Sequence, residues 1–222
     1  MAQSFLEIAS TPSVIAAQEK NGSRAMLEHM AGSRTWTRLT ERETAFIVAR
    51  DSFYMATVSE TGWPYVQHRG GPAGFLKVLD DTTLAFADFR GNRQYISLGN
   101  AQANDRVALI MVDYPNRRRL KILAHLEVRD LASDDALTRT LLEPGYPARP
   151  ERALVLHIEA FDWNCPQHIT PRFTETEVVE ALAPLRNRLE SLEAENVALR
   201  ARLAELETPR SDAMGDGSGG WP

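Results

Sequence analysis

The chain has 222 residues, of which 43% are hydrophobic and 25% charged, with a formal net charge of −5. That length suits one sizeable domain plus an appendage, and the acidic balance excludes a protein that binds nucleic acid with its whole surface. One cysteine, Cys165, excludes an intrachain disulfide or a cysteine-based zinc site, and with no signal-peptide pattern and no apolar run of membrane-spanning length it predicts a cytoplasmic protein without a membrane partner.

Residues 1–50 read as a peripheral helical extension. Pro12 and Ser13 open a helix that Asn21-Gly22 breaks, Arg24 to Met30 reads as a second, and Thr40-Glu41-Arg42-Glu43 has capping-box spacing for a third. From Ser52 the hydrophobic period changes to two. Phe53 to Val58 and Trp63 to Arg69 flank the turn at Glu60-Thr61-Gly62, and Phe75 to Leu79 and Thr83 to Asp88 form a second hairpin across Asp80-Asp81. Arg106 to Asp113 and the run from Leu120 to Val128 alternate, Ser133 caps a helix through Leu142, and Ala153 to Trp163 is the last strand. Many short strands with few helices between them predict an antiparallel barrel over residues 51–172.

Residues 174–207 change character. Thr174-x-x-Glu177 is another capping box, and Leu182, Leu185, Leu189, Leu192, Asn196, Leu199, Leu203 and Leu206 follow at spacings of three and four, an a/d heptad seam. Pro184 reads as the start of its regular part. Leucine at d and one asparagine at a predict a parallel two-stranded coiled coil, and no basic run precedes it, which removes a DNA-binding zipper. The tail, residues 208–222, is rich in Pro, Gly, Ser and Asp and reads as disordered.

The segment from Gln67 to Asn100 carries the candidate site. Gln67-His68-Arg69 precedes a glycine-rich turn, and Phe89-Arg90-Gly91-Asn92-Arg93-Gln94 turns into a short helix. Arginines are permanently charged, bidentate donors, and a helix start offers free N–H groups, so the pattern predicts a phosphate site. On a regular strand His68 points away from the face that Arg69 takes.

These residues resemble the FMN-binding split-barrel superfamily, in the branch related to pyridoxamine 5′-phosphate oxidase. The carriers are residues 50–59 (Arg-Asp-Ser-Phe-Tyr-Met-Ala-Thr-Val-Ser), 64–72 (Pro-Tyr-Val-Gln-His-Arg-Gly-Gly-Pro), 86–94 (Phe-Ala-Asp-Phe-Arg-Gly-Asn-Arg-Gln), Arg119 to Ile122, and Phe161 to His168. The resemblance implies a six-stranded antiparallel split β-barrel, with peripheral helices, that forms a two-fold homodimer with FMN between the subunits. It implies that Arg69 and the turn Gly91-Asn92-Arg93 hold the phosphate with help from Ser97. Ala87 and Asp88 would line the flavin ring, Arg119, Lys121 and Trp163 would lie near it, and Gln67 and His68 flank the basic residue. Gln94 replaces the turn's second basic residue and Pro166-Gln167-His168-Ile169 replaces the true oxidase's C-terminal motif, which sets pyridoxamine phosphate aside as the expected substrate. Three function classes follow: an FMN-dependent oxidoreductase acting on a small molecule, a split barrel using a deazaflavin or haem, and a non-catalytic flavin-binding dimeric scaffold.

Overall fold

The computed structural model describes residues 3–33, 37–163 and 167–207. The chain divides into two compact units, Met1–Pro171 and Arg172–Pro222.

The first unit opens with four helices, α1 (Phe5–Ala9), α2 (Pro12–Lys20), α3 (Arg24–Ser33) and α4 (Glu41–Val48). Helix α1 is an addition to the sequence reading and carries its own capping box, Ser4 with Glu7. The expected box at α4 is present. Thr40 Oγ1 accepts from the Arg42 N–H, and the Glu43 carboxylate accepts from the Thr40 N–H at 3.1 Å. Capping fixes where α4 begins, and so which residues, Phe46 and Ile47, it buries.

Seven antiparallel strands follow: β1 (Ser52–Val58), β2 (Pro64–Gly70), β3 (Lys77–Val78), β4 (Thr83–Phe89), β5 (Arg106–Asp113), β6 (Arg118–Arg129) and β7 (Pro150–Trp163). Helix α5 (Ile96–Ala103) stands between β4 and β5, and α6 (Asp135–Leu141) between β6 and β7. The sheet order is β2-β1-β5-β6-β7-β4-β3, with β2 and β3 as edges. This corrects the expected six strands: among the described residues there are seven, and no backbone hydrogen bonds between them close the sheet. The cause lies between β2 and β3. Gly71 N donates to the Asp51 carbonyl (2.9 Å) and Gly74 N to the Arg50 carbonyl (3.1 Å), so the chain leaves β2 and is tied back to the start of β1. Phe75 and Leu76 then go into the core, which leaves only Lys77 and Val78 to pair with β4.

Alternation along the strands builds the core. Phe53 and Met55 of β1, Val107, Leu109 and Met111 of β5, and Leu120 and Ile122 of β6 face one side. Phe53 stacks on Phe75 at 5.6 Å and meets Phe86 of β4 edge-on at 5.2 Å. On the other face of β4 and β7, Ala85, Ala87, Ala153 and Val155 lie under Leu137 and Leu141 of α6. Strands covered on both faces read as apolar runs instead of alternating ones.

The second unit contains α7 (Glu175–Glu207), 33 residues long. Thr174 Oγ1 accepts from Glu177 N at 3.2 Å, as the spacing predicts. The helix runs through Pro184, where the sequence reading has the regular part begin, and none of its residues is buried. A second copy, and with it the coiled coil, is not shown by one chain. The tail at 208–222 lies outside the described residues. No helix among the described residues is long and apolar enough to cross a membrane.

Candidate functional site

Strand β2 alternates as its sequence predicts. Tyr65, Gln67 and Arg69 take the more covered face. His68 takes the other, with its ring edge-on to Tyr54 at 5.4 Å. The Arg69 side chain is 12% exposed and reaches from edge strand β2 to Asp88 of β4, Nη1 to Oδ1 at 2.6 Å. The other Asp88 oxygen accepts from Nη1 of Arg152 on β7 at 2.7 Å. One carboxylate therefore joins two arginines across the side of the sheet that the backbone leaves open. Arg152 also pairs with Glu151 (3.1 Å) and lies over the Tyr95 ring at 5.0 Å.

Beyond β4 the chain turns. Arg90 N donates to the Arg149 carbonyl (2.8 Å), and Asn92 Oδ1 accepts from Gln94 N (3.1 Å). Arg93 and Tyr95 both have left-handed backbone, φ 60° and 53°. Side-chain-bearing residues rarely adopt it, and such positions cluster at ligand sites. Gly91 needs no special allowance, because a Cβ there would meet nothing within 4 Å. Tyr95 precedes α5 without a side-chain cap, so no side chain of the N-cap residue occupies the helix's first N–H groups. Two bonds fix α5 to the sheet: Asn100 Nδ2 donates to Thr57 Oγ1 and Ser97 Oγ to Gln67 Oε1, each at 2.9 Å.

These elements enclose a cleft of ≈ 170 Å³, bordered by Arg69, Asp88, Arg93, Ser97, Tyr95 and Glu151. That is below the roughly 300–1,000 Å³ of a typical small-molecule pocket, and the cleft is open to one side. Gln67, Gly91 and Asn92 border it as well. Among the described residues the single buried side-chain polar atom without a partner is Arg69 Nε. An orphaned guanidinium N–H at a cleft wall is a donor lacking its acceptor.

Five expected site residues do not border this cleft. The His68 ring is on the opposite face of β2, as alternation requires, and the Ala87 side chain is under α6, while both residues border a smaller hollow beside Arg69. Lys121 faces outward on β6, paired with Asp162 (2.9 Å) and 4.5 Å from the Phe5 ring. Arg119 shares that outward side of β6. Trp163 belongs to the junction with α4: its Nε1 donates to Glu43 Oε1 at 2.6 Å, its ring meets Phe46 at 4.8 Å, and the Arg42 and Arg118 guanidinium groups lie within 5 Å of it. Cys165 lies outside the described residues. Conversely, Tyr65, Tyr95 and Glu151 border the cleft, and Arg152 reaches it through Asp88 and Tyr95; none of the four is singled out by the sequence.

A family model described as pyridoxamine 5′-phosphate oxidase matches residues 39–163, more than half of the chain. The chain belongs to this family. The match to the pyridoxamine 5′-phosphate oxidase family takes in α4, the seven strands, α5, α6 and the whole cleft, and it ends before α7. No curated protein matches the chain. Among solved structures it is similar to a candidate pyridoxamine 5′-phosphate oxidase from Lactobacillus delbrueckii, with 26% identity over 57% of this chain and 94% of that one and a TM-score of 0.43. It is also similar to an FMN-binding protein from Syntrophomonas wolfei, with 16% identity, coverage of 67% and 97%, and a TM-score of 0.45. An FAD-binding protein from Mesorhizobium loti has 18% identity, coverage of 56% and 94%, and a TM-score of 0.39. The family assignment rests on the family match.

Proposed function

We propose that the cleft holds the phosphate end of FMN and that the protein is an FMN-dependent oxidoreductase acting on a small molecule. The observation that carries this reading is the unpartnered, buried Arg69 Nε at the wall of a cleft that also presents Arg93 and the uncapped start of α5. A phosphate monoester supplies the missing acceptor and several more. Asp88 does not spoil the fit, because it is shared between Arg69 and Arg152 and one guanidinium carries five donors.

The family relationship supports a flavin as the ligand. When bound, the cofactor supplies the redox chemistry, and the chain's task is to bind and orient it. The small cleft accounts for the phosphate end alone. The remaining wall fits a second copy of the chain. The outward face of β1, β2, β5 and β6 is apolar through Tyr54, Ala56, Val66, Ala108 and Ile110, and carries Lys121 at its margin. Pairing through that face covers it.

The test is a titration of the purified protein with FMN and with riboflavin, followed by the visible spectrum and flavin fluorescence. FMN is expected to bind and riboflavin to bind at least about tenfold more weakly, since charged hydrogen bonds contribute roughly 1.5–3 kcal/mol each. Arg69→Ala with Arg93→Ala is expected to abolish the difference. Equal binding of the two flavins would remove the phosphate assignment, and binding of neither would remove FMN.

A further inference from the structure

Helix α7 carries a leucine stripe along one side. Leu185, Leu189, Leu192, Leu199, Leu203 and Leu206 are each between 43% and 76% exposed. Exposed apolar surface in a continuous strip marks an interaction site. We propose that α7 pairs in parallel with α7 of a second copy of this chain, as a two-stranded coiled coil.

Three features select this occupant. The first is spacing, with Leu189, Asn196 and Leu203 at a and Leu185, Leu192, Leu199 and Leu206 at d. Leucine at d suits two strands. The second is Asn196. In a parallel, in-register pair a packs beside a, so each Asn196 meets the other and their amides can bond. In an antiparallel pair a packs against d, and every d position from Leu185 to Leu206 is leucine. That arrangement buries an unpartnered amide, which is costly. The third is charge. In a parallel pair g faces the following e, giving Arg188 with Glu193, Glu195 with Arg200, and Arg202 with Glu207, all of opposite sign. Exposed pairs of this kind choose a partner more than they hold it.

The seam is about three heptads long, which is marginal for a free-standing coil. A second contact between the same two chains makes coil formation intramolecular and raises its effective concentration. The coil in turn keeps two copies together at low protein concentration. It lies outside the family-matched segment, and the inference stands independently of the cofactor reading.

The experiment uses the full chain with its one native thiol removed, Cys165→Ser, and a single new cysteine in each variant. Leu185→Cys and Leu206→Cys sit on the seam at opposite ends of it, and Ala201→Cys sits at f, on the far side. Under mild oxidation Leu185→Cys and Leu206→Cys are each expected to give a covalent species of twice the 24.8 kDa chain mass, and Ala201→Cys to stay single at the same protein concentration. Failure of either seam variant to cross-link would overturn the proposal. So would cross-linking of Ala201→Cys at an equal rate. A covalent dimer that forms only when the Leu185→Cys and Leu206→Cys proteins are mixed would show an antiparallel pair instead. None of these outcomes depends on flavin, so they separate from the outcome of the FMN titration.

Discussion

Glu43 shows how a single side chain ties two distant parts of the chain. It is 4% exposed and holds Trp163, 120 positions later, at 2.6 Å. Burial pushes its pKa up, and the hydrogen bonds from Thr40 and Trp163 together outweigh that and hold the carboxyl below the usual range. A carboxyl with a lowered folded-state pKa stabilises the fold above its unfolded value, and the contribution disappears as pH falls through the folded value. Trp163→Phe keeps the ring and loses the donor. It is expected to cost about 1.5–3 kcal/mol in urea unfolding at neutral pH, and less in acid. On the sheet exterior, Glu127 is held at about 2 by Arg129 first and His157 second. Arg129→Ala is expected to move that carboxyl upward in a ¹³C NMR pH titration. Stability should change little, because the Glu127 side chain is 43% exposed.

At the scale of elements, the loop after β2 is the tightest joint in the fold. A Cβ on Gly71 would lie 2.7 Å from Cγ of Phe75, whose ring stacks on Phe53 in the core. Gly71→Ala is expected to destabilise by about 1–3 kcal/mol through overpacking, read as a lower urea midpoint at unchanged slope. The same joint explains a limit of the sequence. Phe75 to Leu79 has the composition of a strand, yet its first residues are spent on the core and only two pair. Strand existence, the alternation that separates Arg69 from His68, and the caps of α4 and α7 were legible because each rests on neighbours a few residues apart. Glu151 and Arg152 were not. They follow the Pro147–Pro150 stretch that reads as loop, and only the register Asp88↔Arg152 brings them to the cleft. The Trp163 contact with Glu43 was hidden for the same reason, since that partner belongs to a helix with no sequence link to it. Arg119 and Lys121 sit on a strand as expected, but which face meets a ligand depends on what covers the sheet.

For the molecule as a whole, charge is distributed against its average. The chain is acidic by five units, while Arg69 and Arg93 border the cleft with Asp88 and Glu151, and Arg152 stands behind Asp88. Asp88 has two tasks there: it lowers the positive potential that a phosphate would meet, and it joins strands the backbone does not join. Asp88→Asn is expected to tighten FMN binding severalfold in a fluorescence titration. The same variant should speed amide hydrogen exchange along β2 in the flavin-free protein. Tighter binding with unchanged exchange would leave Asp88 a charge-tuning residue alone.

The open side of the sheet thus has a fastening of a particular kind. Ladders of backbone hydrogen bonds carry no net charge to be competed for, whereas a carboxylate between two guanidinium groups faces competition from other anions. A phosphate that draws on Arg69 as proposed would compete with a clasp made within the chain. That edge would then be the part of the fold whose closure depends on what the cleft holds.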